Sequence, residues 1–198
     1  AVDDFIVDGP QTCLVQLQSA SSADPNYNDE NPPAVTVTVN DNDTAGVIVS
    51  APTPAEVSES GTQATFTISL ASQPTGNVTI SLTSDDPGEC VVVSPASVVL
   101  TGTNWQPGVT VTVRGVNDAE VDGTQPCTII TGDTVSSDPA YNGLTVDNVT
   151  LSVTDNDAAG IEVIPTALTV NEGATTQFNI PLTAQPPVGT TVSIPLTT

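Results

Sequence analysis

Apolar and polar residues alternate strictly over several short stretches of the chain. Ala64, Phe66, Ile68 and Leu70 alternate with Thr65, Thr67 and Ser69. Val78, Ile80 and Leu82 alternate with Thr79 and Ser81, and Val109, Val111 and Val113 with Thr110 and Thr112. Val149, Leu151 and Val153 alternate with Thr150 and Ser152. A period of two with one polar face is the mark of a strand in a half-exposed antiparallel sheet. Weaker strand signals lie near 47–50, 90–93, 96–101 and 126–131, and Pro and Gly fall between the runs, where turns are needed. No window carries a helical period. The longest apolar stretches are only a few residues, too short for a membrane span.

The pattern repeats. VDDFIVDGPQTC at 2–13 returns as VNDAEVDGTQPC at 116–127, and SADPNYN at 22–28 as SSDPAYN at 136–142. VTVNDNDTAG at 37–46 returns as LSVTDNDAAG at 151–160. The offset is 114 throughout (127 − 13, 155 − 41 and 160 − 46), with no gap. Val47–Ser84 resembles Ile161–Thr198 with small differences in length. The chain therefore reads as one complete repeat over 47–160. The back half of a preceding repeat covers 1–46, and the front part of a following one covers 161–198. About seven strands in roughly 114 residues predict tandem immunoglobulin-like antiparallel β-sandwiches. The flanks have two readings: a window cut from a longer array, or incomplete ends that pair between copies by strand addition.

Composition narrows the function. Arg114 is the only basic side chain against 23 Asp and Glu, for a net charge of −22, and there is no His. Such a surface repels nucleic acid and anionic membranes alike. A Ser or Cys nucleophile has no His or Lys as its base. Phosphoryl transfer lacks a phosphate loop and a cationic side chain. A carboxylate pair for glycoside hydrolysis wants a cleft with aromatic platforms, and a single Trp is poor material. The expectation is a protein that is not an enzyme. Trp105 reads as a core plug, and Tyr27 and Tyr141 as loop anchors.

Of the three cysteines, Cys13 is the counterpart of Cys127. Its own partner would lie in the absent middle of the preceding repeat, so the odd count needs no reactive thiol. Cys90 and Cys127 are then expected to form a disulfide, with two buried free thiols as the alternative. A disulfide implies an oxidising, extracellular setting.

The carboxylates cluster. Glu59 lies in VSESG, Asp85 and Asp86 end the Val78–Leu82 strand, and Asp118 and Asp122 sit in VNDAEVDG. Asp155 and Asp157 close the repeat in TDND. In an up-and-down sandwich, loops distant in sequence meet at one pole. Glu59, the VNDAEVDG loop and TDND are expected to meet there. Calcium takes six to eight oxygens at about 2.3–2.6 Å, from carboxylates, carbonyls and Asn side chains. With no His and no spare Cys, softer metals lack their usual ligands. A single DND is ordinarily a solvated turn. Several acidic loops recurring at a fixed period favour Ca2+.

The order VSESG, VNDAEVDG, VTDND resembles the Calx-β repeat, with its early "vsE", central "DD…E..E" and terminal "DDD". The likeness is closer to Calx-β-like repeats of large bacterial surface proteins. These carry an "NW…P..V.V.GVdD…DG" segment, matched here by Asn104, Trp105, Pro107, Val109 and GVNDAEVDG, together with "DPxYNG" and "DNDTAG". The resemblance implies Ca2+ ligands at Glu59, at Asn117, Asp118 and Asp122, and at Asp155, Asn156 and Asp157. In the preceding repeat it implies Asp3, Asp4, Asp8, Asp41, Asn42 and Asp43. Gln125 and Gln11 stand where the family has a second central Glu, and Asn156 and Asn42 replace a terminal Asp. Fewer charges imply affinity in the millimolar to sub-millimolar range of extracellular modules. The implied role is a non-enzymatic repeat of a secreted adhesin stalk or cell-surface filament, stiffened by calcium where repeats meet. Its partners are neighbouring repeats or other copies. The alternatives are a module that binds a cell-surface glycan or protein, and a filament built by complementation of the incomplete ends.

Overall fold

The computed structural model describes residues 2–197; Ala1 and Thr198, the outermost residues of the two flanking segments, lie outside them. The described residues are all-β. Twelve strands run in chain order: β1 (Gln11–Val15), β2 (Val35–Val39), β3 (Val47–Val49), β4 (Glu56–Ser58), β5 (Gln63–Leu70), β6 (Val78–Ser84), β7 (Cys90–Ser94), β8 (Ser97–Leu100), β9 (Val109–Gly115), β10 (Gln125–Thr131), β11 (Val135–Ser136) and β12 (Val149–Thr154).

β3 to β12 form a sandwich. One sheet has the order β3-β5-β9-β7; the other runs β11-β6-β10-β12-β4, with β8 also paired to β6. The four strictly alternating stretches become β5, β6, β9 and β12. Their apolar positions turn inward: Phe66, Ile68, Ile80, Val111, Val113 and Leu151 are all buried. Each such side chain contributes on the order of 1.5–3 kcal/mol by leaving water. The Thr and Ser between them stay half-buried or exposed. That gives the β-branched, aromatic-poor sequence its two-layer fold. Cys90 and Cys127 are joined across the sheets with Cα atoms 6.1 Å apart, while Cys13 is free and exposed.

Two features depart from a simple up-and-down order. β4 pairs in parallel with β12, placing Glu56 opposite Ser152, Val57 opposite Val153 and Ser58 opposite Thr154. β3 and β4 thus lie in different sheets, so the chain crosses the sandwich between Val49 and Glu56. The parallel pairing brings the C-terminal ends of β4 and β12 to the same pole. Because β10 is antiparallel to β12, its first residue also lies there. Cys90, which opens β7, sits opposite Gly115, which closes β9.

Trp105 and Tyr141 both belong to the core. The Tyr141 hydroxyl donates to the Ser72 carbonyl at 2.7 Å and accepts the Ser72 amide at 3.0 Å, which anchors the DPAYN loop as expected of such a tyrosine. The equivalent Tyr27 is 64% exposed.

The flanking segments are more open. β1 and β2 form a hairpin in which Gln11 faces Val39 and Cys13 faces Val37. Shifted by 114, these are the β10–β12 pairs Gln125 with Val153 and Cys127 with Leu151. Residues 161–197 form no strand. They are held by isolated bridges, Ile161 with Leu182 and Ile164 with Asn179. Leu14, Val37, Val170 and Phe178 of the flanks are exposed. Their alternation is that of the sandwich, but no second sheet faces them among the described residues.

Candidate metal centre

Four chain segments converge at the pole where β4 and β12 end. Glu59 follows β4, and its amide donates to the Thr154 carbonyl at 3.1 Å, extending the parallel pair by one rung. Its side chain turns inward and is only 2% exposed. Oε2 of Glu59 accepts the Asn156 amide at 3.3 Å, fixing the carboxylate against the TDND turn. Asp155 and Asp157 lie in that turn. Oδ1 of Asp155 accepts the Asp157 amide at 2.6 Å, while Oδ2 accepts the amides of Asp122 and Gly123 at 3.1 and 2.9 Å. Asp155 thus ties the end of β12 to the loop after β9. These amides, that of Asp157 foremost, hold its carboxyl below the ordinary value.

Carboxylate oxygens of Glu59, Asp155 and Asp157 lie within 4.8 Å of one another, as do those of Glu59, Glu89 and Asp122. Glu59 belongs to both groups. Burial raises its pKa; the Asn156 amide offsets part of this, and the charges of Asp118, Asp155 and Asp122 add to it. Glu89 is 8% exposed and is pushed up to about 7, first by burial and then by Asp122, Asp86, Glu59 and Asp118. Oδ2 of Asp157 is buried with no hydrogen-bond partner among the described residues. The one basic side chain, Arg114, is exposed on β9.

Converging carboxylates with one orphaned oxygen, all hard oxygen donors, fit a hard cation with the ligand preferences of calcium. Without a cation, each charge opposes the next and burial opposes them all.

The other residues expected at the site occupy distinct places. Asn117 and Asn156 meet at the rim, where Nδ2 of Asn156 donates to Oδ1 of Asn117 at 2.8 Å. These two side-chain amides hydrogen-bond where two carboxylates would repel. Asp118 is half-buried, and its Oδ1 accepts the Glu120 amide at 2.8 Å. Gln125 donates from Nε2 to the Asp122 carbonyl at 2.9 Å, bracing the loop rather than adding a charge. Asp85 and Asp86 fall in the turn after β6 and belong to neither carboxylate group. Oδ1 of Asp85 accepts the Thr128 amide at 2.7 Å, and Oδ1 of Asp86 accepts that of Gly88 at 3.0 Å.

Glu89 is the residue that sequence reasoning overlooked. The Asp86 carbonyl accepts the amides of Glu89 and Cys90 at 3.2 and 3.0 Å, and the Glu89 carbonyl accepts the Val116 amide at 2.8 Å. These bonds place Glu89 beside the start of the acidic loop. Its signal in the sequence was adjacency to Cys90, whose partner Cys127 lies just past that loop.

The preceding segment repeats half of this geometry. Oδ2 of Asp41 accepts the amides of Asp8 and Gly9 at 2.9 and 2.8 Å, and Oδ1 accepts that of Asp43 at 2.8 Å. Gln11 donates to the Asp8 carbonyl at 3.1 Å, as Gln125 does to Asp122. With Asp3 and Asp4 these residues line an acidic cleft of about 340 Å³. Burial and the charges of Asp41, Asp3, Asp4 and Asp8 raise the pKa of Asp43.

No family model and no curated protein matches the chain. Among solved structures it is similar to the surface layer protein SbsC, domains 1–6, at 18% identity and a TM-score of 0.32. That match covers 65% of this chain, which spans only 16% of the other's length. The S-layer protein SbsC domains 4 and 5 align at 15% identity and a TM-score of 0.34, over 75% of this chain and 70% of that one. A third structure, S-layer protein rSbsC(31-844), aligns at 21% identity and a TM-score of 0.32, over 65% of this chain and 16% of that one. Likeness at this level carries no argument about what the chain does.

Proposed function

We propose that this chain is a non-enzymatic structural repeat of an extracellular, cell-surface array, and that its acidic pole binds calcium. The observation that carries the reading is the burial of Glu59 and Glu89 beside Asp122, Asp155 and Asp157 in a chain whose single basic side chain, Arg114, is exposed on β9. Five carboxylates at one pole oppose folding unless a cation joins them. The ligands come from the ends of β4 and β12 and from the segments beside β7 and β9, so one ion would bind both sheets together. The Cys90–Cys127 disulfide supports an oxidising compartment, and the resemblance to Calx-β-like repeats supports a stalk or filament. A sequence without His or Lys supports a role without catalysis.

Bound calcium would stabilise the fold by RT ln(1 + [Ca]/Kd), about 2.7 kcal/mol at a hundredfold excess over Kd. The test is thermal unfolding in EDTA and in 10 mM calcium or magnesium, on the chain and on Glu59→Gln. The expected result is a higher melting temperature in calcium, a smaller rise in magnesium, and neither rise in the variant. A melting temperature that calcium leaves unmoved would sink the reading.

A further inference from the structure

The chain passes from one 114-residue unit to the next at Gly46–Val47 and at Gly160–Ile161, and both passages carry the same two hydrogen bonds. The Ala71 amide donates to the Gly46 carbonyl at 2.9 Å, and the Thr183 amide to the Gly160 carbonyl at 3.0 Å. The Gln73 amide donates to the Phe5 carbonyl at 2.6 Å, and the Gln185 amide to the Ala119 carbonyl, again at 2.6 Å. The acceptors are 114 residues apart (160 − 46 and 119 − 5), and the donors 112 (183 − 71 and 185 − 73). Each acidic loop therefore has two sides. Asp8 and Asp122 tie back to the turn that closes their own unit, through Asp41 and Asp155. Phe5 and Ala119 reach the unit that follows.

What the loop offers at that contact differs. Phe5 stands in a run of aspartates, VDDFIVDG, and is 56% exposed, so its ring is stabilised only through the part that a neighbour covers. Its centroid lies 5.7 Å from that of Trp105, with the planes at 46°, a tilted arrangement favoured by aromatic quadrupoles. Trp105 is held ready for it. Its amide donates to the Thr101 carbonyl at 3.1 Å, its carbonyl accepts the Leu70 amide at 2.9 Å, and it is 9% exposed. At the second passage Ala119 has no ring to offer. There Val121 lines a cleft of about 650 Å³ with Ile161, Leu182 and Pro186.

We propose that Trp105 is the receptor of an aromatic clasp for the preceding unit of the same chain, with Phe5 as its occupant. The residue at the Phe5 position then sets how firmly one unit is held to the next. The passage at Gly46 is a stiff joint, and the one at Gly160, with Ala119, a looser joint built on the same backbone bonds. Neither Phe5 nor Trp105 belongs to the carboxylate groups around Glu59, and although Phe5 stands in the acidic loop of the preceding unit, the test is run in EDTA, so its outcome is independent of calcium binding.

Trp105 is the single tryptophan, so intrinsic emission reads the clasp directly. Phe5→Ala is made in the full chain; Phe5 lies outside the sandwich core, and circular dichroism checks that the sandwich persists. The expected result is a red-shifted emission with stronger acrylamide quenching. Cleavage after Asp41 and Asp43 by a serine protease specific for acidic residues, which needs no metal and works in EDTA, mapped by mass spectrometry, should run about two- to tenfold faster, the loss of one aromatic contact. Unchanged emission and cleavage overturn the proposal. So does a shifted emission with unchanged cleavage, because Phe5 would then shield Trp105 without holding the joint.

Discussion

Replacing Glu89 by Gln separates the two opposing demands on the acidic pole. In EDTA the parent carries a carboxyl whose folded pKa is about 7 against an ordinary value of 4.5, raised mainly by burial. Between those pH values the folded protein keeps a proton that the unfolded chain has released. The contribution of Glu89 is thus fully present below about 4.5 and is lost as pH rises through 7. A shift of that size is worth at most about 3 kcal/mol, at roughly 1.4 kcal/mol per unit. Glu89→Gln removes the charge and keeps the shape. In EDTA at pH 8 the variant should melt higher than the parent, by up to about 10 °C for a sandwich of this size. It should also lose most of the parent's decline in stability between pH 5 and 8. In saturating calcium the order reverses: the parent gains and the variant does not. Because the ion displaces the proton on Glu89, the parent's calcium affinity should fall about tenfold per pH unit below 7. Differential scanning fluorimetry across pH, with and without calcium, reads all of this. A variant that melts at or below the parent at pH 8 in EDTA, or that keeps the same pH slope, refutes the reasoning.

Three further outcomes follow from the geometry. Tyr141→Phe leaves the buried amide and carbonyl of Ser72 without their hydroxyl partner, and should cost about 1–3 kcal/mol in urea unfolding, with no change in calcium response. Reducing Cys90–Cys127, which closes a loop of sequence separation 37, should cost up to about 4 kcal/mol, read as a lower urea midpoint with reductant present. Gly115→Ala would drive a Cβ into the backbone carbonyl of Ser58, displacing β4 and Glu59 after it. It should cost about 1–3 kcal/mol and abolish the calcium-dependent rise in melting temperature, whereas overpacking remote from the site would leave that rise intact.

Most of the sandwich was legible because its strands announce themselves by period. β5, β6, β9 and β12 each have enough positions for alternation to show, and each buries the face its sequence marks. β4 was not legible: three residues, Glu56–Ser58, cannot display a period, and their parallel partner β12 lies almost a hundred residues away. Residues 161–197 carry the front-half pattern of the repeat without its strands. Alternation specifies a face, and a face forms a strand only where another strand completes its hydrogen bonds. At the acidic pole, Glu59, Asp122, Asp155 and Asp157 stood out as members of repeated motifs. Glu89 did not, because Asp85 and Asp86 beside it looked like the natural ligands. The turn spends those two carboxylates on the amides of Thr128 and Gly88 and points the quieter glutamate inward.

The parallel pairing of β4 with β12 also bears on mechanical load. In an array, tension enters each sandwich at its two ends. β4 lies near the entering end and β12 at the leaving end, side by side and pointing the same way. Pulling them apart loads their rungs in shear, so the rungs must fail together rather than unzip one at a time. The bonds from Ser152 to Ala55, from Glu59 to Thr154 and from the Thr154 hydroxyl to Val57 then act as one catch. Glu59 and Asp155 sit at the far end of that catch, so a cation held between them would brace it where the chain leaves.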